Sequence, residues 1–252
     1  MKVPAARLDR LLANLGYGSR REVQDLIVRG YVWMDGERLR DIGGKIPLTS
    51  DLSQRMQVGR EPLDPPAPLT LIMHKPPGVV CSHKETGRSV YELLPARWQR
   101  RDPALSSVGR LDLDTTGLLL ITDDGPLLHR LISPKNHVTK RYLVTLDRPL
   151  SGTEAALFAA GTLILESDTT ALAPATLQTL TDTTAYLTVT EGRYHQVRRM
   201  FAAVGNHVTA LHRDRIGGLA LPDDLSAGEW KILATAEQLP IWASAEAPDQ
   251  LS

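Results

Sequence analysis

Apolar positions near the start of the chain recur with helical spacing. Four leucines fall at i, i+3, i+4 and i+7, and they are Leu8, Leu11, Leu12 and Leu15. This spacing predicts an amphipathic helix. The stretch SRRE at 19–22 has the form of a capping box and predicts the start of a second helix. The sequence YVWMDGERL follows and predicts a β-hairpin, because Asp-Gly between strand-like residues favours a two-residue turn.

A proline-rich stretch separates this first region from the rest of the chain. Residues 61–70, EPLDPPAPLT, contain four prolines and are typical of a semi-rigid linker. We therefore predict an N-terminal module at 1–60, a linker at 61–68, a larger domain at 69–236 and a loose C-terminal tail at 237–252.

The larger domain mixes strand-like and helix-like patterns. The first strands are predicted as strand, turn and strand over TLIMHKPPGVVCS, followed by strands at LLLIT, RYLVTL, AYLTVT and HVTALHR. Helices are predicted at GPLLHRLI, EAALFAA and HQVRRMFAAV. Because strands and helices do not alternate regularly, the pattern predicts an α+β fold with a mostly antiparallel sheet flanked by helices.

Composition limits the class of protein. Cys81 is the only cysteine, which excludes an internal disulfide framework and a cysteine-based metal cage. The start of the chain carries charges too early for a signal peptide, and no apolar run approaches the roughly 18 residues of a membrane span. We expect a cytoplasmic protein that does not bind membranes, and we expect a monomer.

Net charge is zero, with 29 basic and 29 acidic residues, but the charges are unevenly distributed. Five basic residues lie between Pro126 and Arg148, and five arginines lie between Glu191 and Arg215. Such segregation gives either a basic face for nucleic acid or an ordinary solvated surface. Two more arginines in the first turn of the second predicted helix oppose the helix dipole, so they either bind phosphate or face water.

The segment GRLDLDTTGLLLITDDG at 109–125 places four aspartates around an apolar run. If RLDLD is extended, Arg110, Asp112 and Asp114 share one face, and the residues after them form a turn. Asp123 is then predicted to be a turn residue. The sequence offers no clear set of further ligands for a metal site, so we predict none. Catalysis, ion pairing and turn formation all remain open for Asp112 from these patterns alone.

The same segment resembles the signature of the RsuA-type pseudouridine synthase family. Further blocks resemble that family, namely HKPPGVVCS, KRYLVTL and EGRYHQVRRMFAAVGNHVTALHRDRIGGL. RLDRLLANLGYGSRREVQDLIVRGYVWMDGERL resembles its S4-type RNA-binding module. The similarity covers roughly residues 7 to 235. It implies a small S4-like module joined to a catalytic domain that converts uridine in RNA to pseudouridine without a cofactor.

Within the family, YHQVRRMFAAVGNHV with LHRDRIGG is most similar to members that modify 16S ribosomal RNA. The resemblance thus implies 16S RNA as partner, with uridine 516 as the target, free or within a ribosomal assembly intermediate. One alternative is the same chemistry on a 23S ribosomal RNA uridine. An alternative of another class is a non-catalytic RNA-binding protein that serves ribosome assembly.

The resemblance also implies roles for individual residues. Asp112 matches the catalytic aspartate, and Arg110 matches an arginine that holds the target nucleotide out of its stack. Tyr142 matches the tyrosine that packs on the target base. Arg198 matches the cation that pairs with the catalytic carboxylate, and Leu211 matches an apolar residue that lines the pocket. A cation beside Asp112 would favour its ionised form.

Basic residues outside this set are the candidates for further RNA contacts. We predict that RNA is bound by Arg7, Arg20, Arg21, Lys140, Arg141 and Arg199. His195 and His212 are assigned to structure or to RNA contact and not to catalysis. Asp114 is predicted to be a turn or ion-pair residue, and Cys81 a small buried residue.

Overall fold

The computed structural model describes residues 3–243, which group into two compact units. The first unit contains the chain up to Leu69 together with Tyr91–Ser106 and Thr122–Asp124. The second contains Thr70–Val90, Ser107–Ile121 and the chain from Gly125 onward. The sequence placed residues 91–106 and 122–124 in the larger domain, whereas their tertiary contacts in the structure group them with the N-terminal unit.

In the described residues, the first unit is built from short strands, three α-helices and a 3-10 helix at Ala96–Arg100. Strand β1 pairs antiparallel with β4, and a second sheet has the strand order β3-β2-β5-β6. The leucines of the first predicted helix are buried in one core together with residues of the second helix. The elements are β1 (Ala5–Arg7), α1 (Leu8–Asn14), α2 (Arg20–Val28), β2 (Val32–Met34), β3 (Glu37–Arg38), β4 (Lys45–Pro47), α3 (Leu52–Arg55), β5 (Met56–Val58) and β6 (Glu61–Pro62).

Two local predictions in this unit are confirmed. The Ser19 hydroxyl accepts a bond of 3.4 Å from the Glu22 amide, and the Glu22 carboxylate accepts one of 2.7 Å from the Ser19 amide. These reciprocal bonds form the capping box that starts α2. Asp35 and Gly36 have φ of 51° and 84°, as a type I′ hairpin turn between β2 and β3 requires.

The first residues of the predicted linker are part of this unit. Glu61 and Pro62 form β6 beside β5, and Leu63 is buried in the core that contains α1 and α2. The Asp64 carboxylate accepts a hydrogen bond of 2.6 Å from Arg97 Nε. The prediction of a semi-rigid linker is therefore wrong for residues 61–64, because strand pairing and side-chain packing fix them in this unit.

The second unit contains one large, mostly antiparallel sheet with the strand order β11-β12-β10-β13-β9-β7-β15. Strands β14 and β8 pair with β13 and β9, and the β13–β9 pair is parallel. The predicted α+β class is confirmed. The elements are β7 (Thr70–Lys75), β8 (Ser106–Ser107), β9 (Thr116–Thr122), α4 (Gly125–Ile132), β10 (Lys140–Leu146), α5 (Glu154–Ala159), β11 (Thr176–Thr181), β12 (Thr184–Val189), α6 (Gln196–Ala203), β13 (Val208–Ile216), β14 (Leu219–Ala220) and β15 (Trp230–Ile232).

Helices cover the sheet and bury two apolar cores. Phe158 of α5 and Phe201 of α6 meet edge to face, with ring centroids 5.4 Å apart, over the residues of β10, β12 and β13. A separate core joins Leu131 of α4 to Leu118 and Leu120 of β9. Burial at these cores gives β10 and β13 a fixed register, which determines the side chains that they present together.

One strand prediction in this unit is wrong, and the extended conformation considered for RLDLD is not observed. After KPPG, the second predicted strand is reduced to a single bridge between Val80 and Ser89. RLDLD is not extended: Leu111 is 5% exposed and Leu113 is 55% exposed, so they do not share a face. The Thr115 amide donates to the Asp112 carbonyl at 3.1 Å, so the turn covers residues 112–115. Hydrogen bonds from Lys75 and from the Gly78 amide hold this segment as a loop.

Asp123 is a buried ion-pair partner and not simply a turn residue. Its carboxylate accepts bonds of 2.9 Å from Arg101 Nη2 and 2.6 Å from the Leu69 amide, all within the first unit. The side chains of Arg101 and Asp123 are 2% and 0% exposed. Breaking such a pair leaves an uncompensated buried charge, which destabilises a protein by about 3–5 kcal/mol.

The predicted loose tail is ordered where the structure describes it. Thr235–Trp242 form a 3-10 helix, and Ile241 packs into the core that contains α4 and β9. The Gly218 amide donates to the Pro240 carbonyl at 2.8 Å. The prediction is therefore wrong for residues 237–243, and residues 244–252 of that tail lie outside the described residues. Within residues 3–243, no helix has the length and apolar character needed to cross a bilayer.

Candidate active site

A short loop between Gly109 and β9 presents Asp112. Gly109 has φ of 71°, a conformation that favours glycine, and Leu111 anchors the loop by its burial. The Gly78 amide donates to the Leu113 carbonyl at 2.8 Å from the neighbouring KPPG turn. The loop is thus anchored before Asp112 by the burial of Leu111 and after it by a hydrogen bond to the Leu113 carbonyl.

Lys75 also stabilises this loop, by hydrogen bonds to two of its carbonyl groups. Its ammonium group donates to the Leu113 carbonyl at 3.3 Å and to the Thr115 carbonyl at 2.9 Å, and the residue is fully buried. Burial lowers the pKa of Lys75, and the negative charges of Asp114 and Asp112 oppose that effect. The sequence analysis did not identify this role, although Lys75 lies in the KPPG block of the family resemblance.

An open cavity lies beside the loop. Asp112 reaches it with a side chain that is 29% exposed. The strands and the start of α6 supply the remaining walls. The lining residues are Arg110, Leu111, Asp112, Thr115, Tyr142, Val189, Glu191, Gly192, Arg193, His195, Gln196, Val197 and Leu211.

Arg198 of α6 and His195, which directly precedes α6, approach the Asp112 carboxylate. Arg198 Nε lies 3.7 Å from one carboxylate oxygen, and His195 Nε2 lies 3.4 Å from the other. Arg198 makes its shorter contact with Asp114, at 2.8 Å, so one guanidinium group bridges both aspartates. The predicted Arg198–Asp112 pair is present, and Asp114 is both a turn residue and an ion-pair residue.

The start of α6 holds these two groups in place. The Arg193 amide donates to the Gln196 side chain at 2.9 Å, which fixes the turn into the helix. His195 adopts the left-handed conformation with φ of 48° directly before α6. Arg198 Nη1 donates to the Val208 carbonyl at 3.0 Å. Positions 195 and 198 are three residues apart and therefore face the same side.

Tyr142 stands on β10 across the cavity from this helix. Its hydroxyl group lies 3.5 Å from Arg213 Nη1 of the neighbouring strand β13. Arg213 is 3% exposed and donates through Nε to the Leu118 carbonyl at 2.8 Å. Arg213 was not predicted from the sequence, although alternation along β13 places it on the same face as Leu211, which lines the cavity.

Arg110 occupies the rim of the cavity. Its side chain is 62% exposed and forms an ion pair with the Glu85 carboxylate. Because both groups are accessible to water, a bound phosphate can exchange with Glu85 at little cost. Within the part of the chain that the structure describes, no group of three or more His, Cys, Asp or Glu side chains is arranged to hold a metal ion.

Two family profiles match the chain. The RNA pseudouridylate synthase profile matches residues 70–203, and the S4 domain profile matches residues 6–47. The chain belongs to the RNA pseudouridylate synthase family. It is an RNA pseudouridine synthase, an isomerase, with an N-terminal S4 domain.

Several relatives resemble this synthase over nearly its whole length. The ribosomal small subunit pseudouridine synthase A of Escherichia coli strain K12 is 41% identical over 92% of this chain and 97% of its own. An uncharacterized RNA pseudouridine synthase of Bacillus subtilis is 41% identical over 92% and 96%. A crystal structure of a pseudouridylate synthase matches with a TM-score of 0.65 and 36% identity over 93% of this chain and 99% of that one.

The S4 domain presents three of the predicted RNA-binding arginines to solvent. Arg20 and Arg21 are exposed in the first turn of α2. Arg7 is also exposed, but it pairs with Asp9 at 3.2 Å, and this hydrogen-bonded contact raises the pKa of Arg7. Arg20 and Arg21 are therefore the better candidates for contacts to phosphate.

Lys140 lies two residues before Tyr142 on β10 and opposite Val189, a residue of the cavity wall. Side chains two positions apart on a strand face the same side, so Lys140 belongs to the catalytic face of the sheet. Burial, and then the positive charge of Arg213, lower the pKa of Lys140 to about 8. Lys140 remains a candidate for contact with RNA.

Two of the predicted RNA contacts need correction. Arg141 is 6% exposed and its Nη2 forms an ion pair of 2.5 Å with Asp214, on the opposite face of β10 from Tyr142. Arg199 pairs with Asp168 at 2.7 Å and donates to the Glu166 carbonyl, outside the catalytic cavity. Both guanidinium groups already have anionic or carbonyl partners, so neither presents a free cation to RNA.

His212 also lies away from the catalytic cavity. Its Nδ1 is 2.8 Å from the Thr116 hydroxyl, and its ring meets His74 edge to face at 5.5 Å. Burial, and then the neighbouring His74, lower the pKa of His212, while Asp214 opposes this. These contacts agree with a structural role.

Proposed function

We propose that this synthase converts uridine 516 of 16S ribosomal RNA to pseudouridine, with Asp112 as its catalytic carboxylate and no cofactor. The relatives from Escherichia coli and Vibrio cholerae are named as ribosomal small subunit pseudouridine synthases, and they align with 92% and 94% of this chain. The observation that carries the catalytic assignment is the position of Asp112 in an open cavity, beside Arg198 and His195 and across from Tyr142.

The reaction itself explains why a carboxylate is sufficient. The N1–C1′ bond of the nucleoside breaks, the base turns, and a C5–C1′ bond forms. The proton on C5 leaves and N1 gains one, so the product is an isomer of the substrate. No electron is transferred to or from an external group, and the balance therefore requires no redox partner.

Asp112 can serve this rearrangement by attack at C1′, by addition to C6 of the base or by removal of a sugar proton. Each route requires an ionised carboxylate that can reach the nucleoside. Arg198 supplies a positive charge, with its Nε 3.7 Å from one oxygen of the Asp112 carboxylate. The partial exposure of Asp112 leaves it accessible from the cavity.

The cavity wall supports a nucleotide that has left its stack. Eversion costs a few kcal/mol, and stacking on an aromatic ring such as Tyr142 returns about 1–3 kcal/mol. Arg213 holds the Tyr142 ring from behind through the contact at its hydroxyl group. Leu211 adds an apolar surface, and in this proposal Arg110 at the rim binds the adjoining phosphate.

Tritium release tests the catalytic assignment. RNA containing uridine labelled at C5 releases tritium to water only when isomerisation occurs. Wild-type protein is expected to release it, and Asp112→Asn is expected to fall to background. Asp147→Asn, which removes a carboxylate that is 56% exposed on the surface, serves as the matched control and should retain full activity. An Asp112→Asn protein with wild-type release would overturn the assignment.

A modification map tests the target. Carbodiimide treatment and primer extension of ribosomal RNA from a deletion strain should show one pseudouridine missing from 16S RNA and restored by the wild-type gene. A missing 23S pseudouridine with an intact 16S site would instead support the large-subunit alternative.

A further inference from the structure

Tyr194 is an aromatic side chain that the catalytic scheme does not use. It is 76% exposed, which is the largest exposure among the large hydrophobic side chains reported for the described residues. Exposing a ring of this size to water is unfavourable, and aromatic residues on a surface commonly mark a binding site.

The Tyr194 ring is already half of a stack. It lies on the His195 ring with a centroid separation of 3.8 Å and an angle of 20° between the planes. This spacing resembles the step of about 3.4 Å between bases along a nucleic-acid strand. His195 holds the inner face of the ring, and the exposure of Tyr194 shows that much of the remaining surface is open.

Backbone geometry holds this ring pair in position. His195 has φ of 48° and ψ of 32°, and a non-glycine residue in this region is uncommon outside functional or tightly constrained sites. The Tyr194 carbonyl accepts a bond of 3.3 Å from Arg199, so the residue is also tied to α6. The stack is a fixed feature of the helix start.

The ring pair lies between the catalytic cavity and a second depression. His195 lines the cavity and is 3.4 Å from Asp112, whereas Tyr194 lines a second, open groove. A nucleotide strand that places its uridine at Asp112 must leave the cavity in some direction. The groove beside Tyr194 provides one such exit.

Chemistry of the groove favours a base over a phosphate. Its one cationic side chain among the lining residues is Arg199, which Asp168 neutralises at 2.7 Å. Glu166 adds a second carboxylate, so the lining carries no net positive charge to attract a phosphate. Hydrogen bonding from Arg199, and then from Arg193, lowers the pKa of Asp168, so the carboxylate is ionised at neutral pH. Ala202 and Ala203 give the groove an apolar side that suits the face of a base.

We propose that Tyr194 is a positioning residue that stacks on the nucleobase next to the target uridine. The stack His195–Tyr194–base would replace the stacking that the neighbouring base loses when the uridine is everted. Stacking on an aromatic ring is tolerant of base identity, so Tyr194 contributes affinity and register, and sequence preference must come from other contacts.

The proposal rests on the Asp112 cavity as the site of isomerisation. Tritium release that is abolished by Asp112→Asn establishes that point first, on any RNA that the wild-type enzyme converts. The Tyr194 experiment then uses the same RNA, so a failure of one proposal is distinguishable from a failure of the other.

Single-turnover tritium release should be measured against RNA concentration. Tyr194→Ala is expected to raise the half-saturating RNA concentration roughly 5- to 150-fold, the range expected for the loss of one stacked base. The rate at saturating RNA should stay within about twofold, because Asp112 is unchanged. Tyr194→Phe and Tyr194→Trp should keep near wild-type values, whereas Tyr194→Leu should resemble Tyr194→Ala.

A double-mutant cycle with the RNA separates stacking from a merely structural role. The partner change is an abasic nucleotide on the 5′ or the 3′ side of the target uridine. On one of the two abasic substrates, wild type and Tyr194→Ala should have equal half-saturating concentrations. An effect of Tyr194→Ala that persists on both would overturn the proposal and would favour a protein-docking surface instead.

The exposed leucine of β11 provides the control variant. Leu180 is 44% exposed, and its replacement by alanine removes surface apolar area from the same domain. Leu180→Ala should leave the half-saturating concentration unchanged on all three substrates. An equal rise in Leu180→Ala would show that the Tyr194 effect is not specific to its ring.

Discussion

Lys140 shows how burial and a neighbouring positive charge change the charge that a side chain can offer to RNA. Its ammonium group shares the catalytic face of β10 with Tyr142, and burial and then Arg213 hold its pKa at about 8, where an ordinary lysine has 10.5. The amine is charged below this pKa and neutral above it. A lysine contact to phosphate at this position is therefore expected to depend on pH near 8.

RNA affinity is expected to fall as pH rises from 7 to 9, because the cation at Lys140 is lost through that interval. A hydrogen bond from a charged group contributes about 1.5 kcal/mol, which corresponds to roughly tenfold in Kd. Lys140→Arg should remove the dependence, since guanidinium keeps its charge. The measurement is RNA binding by Asp112→Asn protein at fixed ionic strength.

Lys135 supplies the matched control for that experiment. It is an exposed lysine on the same domain, and Lys135→Arg should leave the fall in affinity unchanged. If Lys140→Arg retained the full fall between pH 7 and 9, another group would be responsible and Lys140 would not contact the RNA.

Individual site residues were predictable only where the sequence carried a specific motif. The family blocks led to Asp112, Tyr142 and Leu211, which line one cavity, and to Arg198, which lies 3.7 Å from Asp112. Lys75 and Arg213 were missed because their function depends on carbonyl groups that are distant in sequence. Spacing along one segment contains no information about such contacts.

At the scale of elements, local signals predicted helices and turns better than loops. The capping box at Ser19 and the Asp35-Gly36 turn are satisfied by neighbours within three residues, so their geometry is encoded locally. The Asp112 loop is different, because the backbone groups that an extended strand would pair are bound by Lys75 and Gly78. Alternation of side chains between two faces applies to an extended strand, whereas hydrogen bonds to residues distant in sequence hold this segment as a turn.

Gly117 lies near the start of β9, directly after this loop, where β9 passes close to β13. It has φ of 106° and pairs with Arg213 where β9 and β13 run parallel, and a Cβ there would overlap the Arg213 backbone. Gly117→Ala is expected to destabilise the domain by about 2–4 kcal/mol, because strain and steric overlap add. It should also reduce tritium release, since Arg213 supports Tyr142.

Urea unfolding followed by far-UV circular dichroism measures that change. Gly125→Ala is the control: a Cβ at position 125 meets no atom within 4 Å, and its stability should change by no more than about 0.5 kcal/mol. Equal unfolding midpoints for the two variants would show that β9 and β13 separate easily and that the close approach is not required.

The whole molecule is electrically neutral, and the arrangement of its charges could not be derived from their order along the chain. The arginine-rich stretch from Glu191 to Arg215 suggested a basic face. In the structure, Arg193 and Arg199 share Asp168, and Arg198 bridges Asp112 and Asp114. Much of this apparent basic surface is internal ion pairing that holds the helix start and the catalytic loop.

The exposed arginines of the S4 domain then become the main test of RNA binding away from the cavity. Arg20 and Arg21 lie in the first turn of α2, where the helix dipole disfavours cations by roughly 0.3–1 kcal/mol each. A cost of this kind is expected where function requires the charge. Neutralising two phosphates releases counterions, so these arginines should contribute about 1.4–1.8 to the slope of log K against log salt concentration.

The double variant Arg20→Ala, Arg21→Ala is therefore expected to bind target RNA more weakly and with a flatter salt dependence, while the single-turnover rate at saturating RNA is kept. Arg20→Lys, Arg21→Lys should restore the slope because it restores the charge. A matched control is Arg29→Ala, Arg55→Ala in the same unit, whose charges are paired with Asp25 and Asp35. If the first double variant kept the wild-type slope, these arginines would face only water, and the S4 domain would have to bind RNA through another surface.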